Sequence, residues 1–107
     1  MASYSFHIPF YATGLRGDEV EAALEQVAPI AGRYGGTHWA VYRAQEDLYK
    51  FLLVVDFPSK ATFESYWYGE EARSMRAALS GFFQNPVTYA PFHLVSEGSA
   101  VTSSAAA

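Results

Sequence analysis

Tyr49-Lys50-Phe51-Leu52-Leu53-Val54-Val55-Asp56-Phe57 reads as a β-strand from its length and its β-branched and aromatic content. Side chains along a strand alternate between two faces. One set is Tyr49, Phe51, Leu53, Val55 and Phe57; the other is Lys50, Leu52, Val54 and Asp56. A strand wetted on one side alternates apolar with polar residues. Here Leu52 and Val54 make the centre apolar on both sides, so both faces of the sheet need cover. Two helices found elsewhere in the chain can cover one face. A chain of 107 residues has little left for the other. A second copy of the chain is the economical cover, and the strand points to a homodimer joined sheet to sheet.

Working outward, Ser3 to Ala12 reads as a first strand. Its Pro9 removes a ladder donor, which places it on an edge side or at a bulge near the strand's end. A loop with Gly14 and Gly17 follows. Asp18 is expected to cap a helix over Glu19 to Arg33, whose Val20, Ala23, Leu24, Val27, Ile30 and Ala31 recur at helical spacing. Pro29 predicts a kink or fresh start near Ala28. Gly35 and Gly36 end the unit. Thr37 to Gln45 is a second strand, and the short Glu46-Asp47-Leu48 link makes a hairpin with the quoted strand. Ser59 is expected to cap a second helix carrying Phe63, Tyr66 and Trp67, interrupted at Gly69 and resumed to about Ser80. After a loop with Phe82 and Phe83, Val87 to Val95 is a last strand, with Pro91 implying an edge or bulge.

The order β-α-β-β-α-β is the ferredoxin-like α+β plan, an antiparallel four-stranded sheet with two helices on one face. Residues 1–96 form this single domain. Residues 97–107, rich in Ser and Ala, are expected to be a disordered tail.

Composition limits the function. Net charge is −4, and the seven Lys and Arg residues are scattered without a basic run. This argues against a nucleic-acid partner and against an anionic membrane surface. No apolar stretch approaches a membrane span, and the start shows no basic-then-apolar signal pattern, so a cytoplasmic address is expected. Cysteine is absent, which excludes disulfides, thiolate metal sites and a cysteine nucleophile. Aromatic residues make up 17% of the chain, a supply that serves a core, an interface or the wall of a pocket for a flat ligand.

Three histidines, His7, His38 and His93, lie on expected strands, none at metal-ligand spacing from another. Histidine is suited to proton transfer near neutral pH, so these are the candidate catalytic acids and bases; the alternative is ordinary edge or interface histidines. No metal site is expected, for want of carboxylates at strand spacing. Tyr66-Trp67-Tyr68 is the densest aromatic cluster, and on a helix its members cannot share one face. Tyr66 and Trp67 are candidates for the wall of a cavity, or for plain core packing. In the first strand His7 shares parity with Ser5, Pro9 and Tyr11, while Tyr4, Phe6, Ile8 and Phe10 form an apolar side. The mixed side, with His7 and Tyr11, suits either the sheet floor of that cavity, together with His38 or His93, or a wetter interface. Arg43 is a candidate for a ligand carboxylate, or for a partner to Asp56; the alternative is that both, near strand ends, are exposed to solvent.

The element order, with a strand ending in Asp56-Phe57 and then Pro58-Ser59-Lys60-Ala61-Thr62-Phe63-Glu64-Ser65-Tyr66-Trp67, resembles the dimeric α/β-barrel superfamily. That group includes antibiotic-biosynthesis-monooxygenase-like proteins, small polyketide cyclases and heme-degrading monooxygenases. The resemblance implies a dimeric α/β barrel with a cavity between helix and sheet. The heme-degrading members' histidine after the helix tryptophan is missing here, where the chain reads Arg73-Ser74-Met75-Arg76-Ala77-Ala78. Their first-strand asparagine is missing too; the only Asn is Asn85. The resemblance implies a small enzyme without a cofactor, acting on an aromatic or polyketide-like ligand as a monooxygenase or cyclase. The alternatives are a non-catalytic ligand-binding or accessory protein on the same scaffold, or a structural module with a filled core.

Overall fold

A computed structural model describes residues 3–100. The chain runs β1 (Tyr4–Tyr11), α1 (Gly17–Val27), a 3₁₀ helix (Ala28–Tyr34), β2 (His38–Arg43), β3 (Lys50–Phe57), α2 (Lys60–Trp67), α3 (Glu70–Ala78) and β4 (Ala90–His93). The four strands form one antiparallel sheet in the order β2-β3-β1-β4. The ferredoxin-like α+β expectation holds.

Cross-strand partners share a face. Phe6, Ile8 and Phe10 of β1 lie opposite Val55, Leu53 and Phe51 of β3, and all six are buried. Helices α1 and α2 lay Val20, Leu24, Phe63 and Tyr66 on this face to complete the core. The opposite face carries His7, Leu52, Val54, Ala40, Tyr42 and Phe92, and no element among the described residues covers it. Tyr42 and Phe92 are 58% and 51% exposed on it.

Local signals explain the element ends. The expected break at Pro29 is real: α1 stops at Val27, and the chain tightens into the 3₁₀ helix with the proline in its first turn, where a missing N–H costs nothing. Gly35 ends that helix at φ +92°, a conformation glycine adopts without a Cβ clash. Ser59 caps α2 by accepting the Thr62 N–H at 3.1 Å. Gly69 separates α2 from α3, and a Cβ there would lie 2.6 Å from the Ser65 carbonyl oxygen. Pro9 lies beyond the β4 ladder, which pairs only Tyr4 to His7, so its missing donor leaves no bond unmade on that side.

Two expectations are corrected. Asp18 does not cap α1; the helix begins at Gly17, and the Asp18 side chain turns to Arg43 instead. The last strand is Ala90–His93 rather than Val87 to Val95, because residues 85–89 pass over the helix side of the sheet, where Val87 and Tyr89 pack on the core. It is an edge strand, as Pro91 implied. Within the tail expected at 97–107, residues 97–100 are exposed and without regular structure, and 101–107 lie outside the described residues.

Candidate functional site

The layer between sheet and helices is filled, not hollow. The Phe6 and Phe63 rings stack 3.8 Å apart, 5° from parallel, and Tyr89 meets Phe63 edge-on at 4.8 Å. Tyr66 is fully buried and its hydroxyl donates to the Val27 carbonyl at 2.8 Å, tying α2 to the end of α1. Burial pushes the Tyr66 phenol well above its ordinary pKa, so near neutrality it is a hydrogen-bond donor.

The chemistry-bearing corner lies at the end of α2, around Trp67. The indole is 3% exposed and has Phe63 at 6.1 Å, nearly parallel, and Phe10 edge-on at 6.4 Å. Phe83 reaches Phe10 at 5.4 Å from the irregular segment after α3. Arg76 of α3 lays its guanidinium over the Trp67 ring, 4.1 Å from the centroid. Its Nη1 is buried and has no hydrogen-bond partner, and no carboxylate among the described residues pairs with it. Burial lowers the Arg76 pKa, partly opposed by Tyr68 and Tyr66. The Tyr89 phenol is raised, first by burial and then by a hydrogen bond with Tyr68. Gly69 makes this corner possible. By breaking the helix it re-aims α3, so that Arg76 returns over a tryptophan it could not reach along one continuous helix axis.

None of the three histidines joins this corner. His7 and His38 lie on the uncovered face of the sheet, so the expected cavity floor beneath the helices is corrected: the apolar side of β1 takes that place. His7 Nε2 lies 3.2 Å from Ser5 Oγ, and its ring lies 4.6 Å from Phe92. His38 Nδ1 lies 3.6 Å from Asp56 Oδ2. Tyr11 shares the open face with them. His93 is on the helix side but at the edge, 4.9 Å from the Tyr4 ring, and exposed. Arg43 is also on the helix side, with its Nε and Nη1 donors engaged. It donates to Asp18 at 2.9 Å, Glu21 at 2.8 Å and the Leu48 carbonyl at 2.8 Å, and it lies over Phe51. Hydrogen bonds to Asp18 and then Glu21 raise its pKa. It pairs with Asp18 and Glu21 and not with Asp56.

A separate apolar groove of about 450 Å³ runs between α1 with its 3₁₀ extension and α3. Ala23, Val27, Ile30 and Met75 are among its walls, with Gln26, Ser74 and Glu71 as polar groups. Glu71 is engaged, accepting from the Tyr34 hydroxyl at 2.6 Å and facing Arg33 at 3.5 Å. The Tyr34 hydrogen bond, foremost, holds its carboxyl below the usual range. Neither Trp67 nor a histidine lines this groove. Among the described residues no group of three or more His, Asp and Glu is placed to hold a metal ion, and no helix is long and apolar enough to cross a membrane.

Sequence reasoning found Trp67 and missed Arg76. Nothing in the spacing of Arg76 from Trp67 marks them as neighbours, because the break at Gly69 resets the helical phase between them.

No family model matches the sequence, and no curated protein matches it significantly. Solved structures do resemble it. PA3566 from Pseudomonas aeruginosa superposes with a TM-score of 0.80 at 12% identity, over 90% of this chain and 97% of that one. Rv0793 from Mycobacterium tuberculosis gives 0.78 at 13% identity, over 91% and 99%. A structure described as an antibiotic biosynthesis monooxygenase gives 0.77 at 11% identity, over 87% and 99%. At such identities the likeness is one of fold, and along almost its whole length this chain has the ferredoxin-like fold of the antibiotic-biosynthesis-monooxygenase-like proteins.

Proposed function

We propose that the protein is a small cofactor-independent enzyme, of monooxygenase or cyclase type, acting on an aromatic or polyketide-like ligand as a homodimer. The observation that carries this reading is the Trp67 corner. It packs aromatic rings against a guanidinium that no carboxylate among the described residues pairs with. The monooxygenase named among the fold's neighbours supports the reaction type. The chemistry asks little of a protein. An anthrone-like substrate loses a proton from its activated CH2, and the resulting enolate supplies the electrons to dioxygen. The CH2 becomes a carbonyl, one oxygen atom enters it, and the other leaves as water. The protein's task is to hold the anion in an apolar place.

Oxygen uptake on mixing the protein with anthrone-like phenols tests this reading. Uptake with quinone formed in equal amount is expected. Binding with no turnover across such a panel would leave the second reading, a non-catalytic ligand-binding protein. Two observations favour that reading: no histidine reaches Trp67, and the α1–α3 groove has the size and apolar lining of a small-molecule site.

A further inference from the structure

We propose that the groove between α1 and α3 is a binding site for an uncharged aliphatic molecule, a medium-length chain ending in a hydroxyl, amide or ester group. The site is separate from the Trp67 corner and goes beyond the activity proposed above, on which it does not depend.

Unlike the layer between sheet and helices, the groove is hollow. About 450 Å³ lies between the two helices, within the range of small-molecule sites. Its walls are two rows of residues about one helical turn apart, Ala23, Val27 and Ile30 on one side and Glu71, Met75 and Leu79 on the other. Val27, Met75 and Leu79 are buried and make the floor, while Ala23 and Ile30 are half-buried. Aromatic residues are 17% of the chain, yet none among the described residues stands on these walls. The apolar wall is methyl, methylene and thioether, which holds a flexible chain by area and offers no ring for stacking. The walls carry one charged group among the described residues, Glu71, and no Lys or Arg. Glu71 accepts from the Tyr34 hydroxyl at 2.6 Å and faces Arg33 at 3.5 Å. A carboxylate ligand would meet that like charge with no cation on the walls to receive it, and an ammonium would find the carboxylate engaged. Gln26 of α1 and Ser74 of α3 lie exposed at the rim and supply an amide and a hydroxyl for one neutral polar head. An aliphatic tail on the floor with an uncharged head at the rim is the chemistry the groove matches.

Met75 is one of two methionines in the chain, the other being Met1, so carbon-13 labelling of the methionine methyls gives the groove its own NMR reporter. The probes are 1-hexanol, 1-octanol, octanoate and 2-naphthol. 1-Octanol is expected to shift the Met75 signal saturably and to bind about fourfold or more tighter than 1-hexanol, the scale of two methylenes at least half buried. Octanoate is expected to bind about fivefold or more weaker than 1-octanol, the scale of one like charge close by in water. The aromatic 2-naphthol is expected to bind more weakly than 1-octanol as well. Ala23→Leu fills the groove from α1 and should abolish the response. Ala78→Leu fills it from α3 at an exposed position, and keeps the test alive if the first variant misfolds. No saturable shift with 1-octanol overturns the inference, and so does binding retained in the folded leucine variants. Octanoate or 2-naphthol binding as tightly as 1-octanol overturns the ligand class. A Met75 signal that moves with protein concentration alone gives the groove to a second copy of the chain and overturns the inference too. Oxygen uptake with anthrone-like phenols is read separately, so the proposed activity can fail or hold without deciding this site.

Discussion

Tyr66 shows at the scale of one side chain how this core differs from an oily one. Its ring belongs to an aromatic cluster with Phe57, Phe63 and Tyr34, while its hydroxyl spans to the Val27 carbonyl at the point where α1 gives way to the 3₁₀ helix. The phenol adds a tertiary hydrogen bond to a carbonyl at the junction of the two helices. Tyr66→Phe keeps the ring and removes that bond. We expect a loss of about 1–3 kcal/mol in chemical denaturation, with unchanged secondary structure. A loss within error would mean that water or a shifted backbone replaces the bond. The contrast between Arg43 and Arg76 belongs to the same scale. The two arginines differ because one meets two carboxylates and the other meets an indole.

At the scale of the element, α2 is short and depends on its ends. It has eight residues, less than a helix needs to persist alone, so its cap and its packed face hold it. Ser59 in extended conformation is its cap, accepting the Thr62 N–H. Ser59→Ala should cost about 1 kcal/mol of stability, measured by thermal or urea unfolding. Because α2 carries Phe63, Tyr66 and Trp67, the loss should also appear as a looser Trp67 environment in near-ultraviolet circular dichroism. A fully retained melting transition would show that side-chain packing alone fixes the helix start. Much of this level was legible beforehand. The Ser59 cap, the break at Gly69 and the change of helix at Pro29 each follow from local backbone chemistry. The Asp18 cap did not follow, since Arg43, distant in sequence, competes for the same carboxylate. The end strand was overextended because β propensity at Val87 to Tyr89 says nothing of whether a neighbouring strand is there to pair.

At the scale of the whole molecule, the uncovered sheet face decides what the chain needs. Its Tyr42, Leu52, Val54 and Phe92 form a patch beyond what scattered exposed residues make. On the same face Asp56 is 9% exposed, and its Oδ2 meets His38. A second copy laid on the sheet would cover the apolar residues. We expect sedimentation at micromolar concentration to show one species near twice 11.8 kDa, and Leu52→Glu to convert it to monomer with its circular dichroism retained. A monomeric parent would refute the sheet-to-sheet assembly and leave the fold untouched.

The alternation in Lys50 to Phe57, with both parities apolar at the centre, sufficed for the sheet, its two different faces and the βαββαβ order. Those features rest on local periodicity and on punctuation by Pro, Gly and Ser, which act within a few residues. Which face of β1 the helices would choose was not legible. Both faces carry aromatic groups, and only the summed packing of Phe6, Ile8 and Phe10 against α1 and α2 selects the one without polar atoms. That choice sent His7 and His38 to the open side and left the inner layer solid. The meeting of Arg76 with Trp67 was likewise a matter of tertiary structure. It depends on the direction in which α3 leaves Gly69, and that direction is set by contacts across the domain and not by neighbours along the chain.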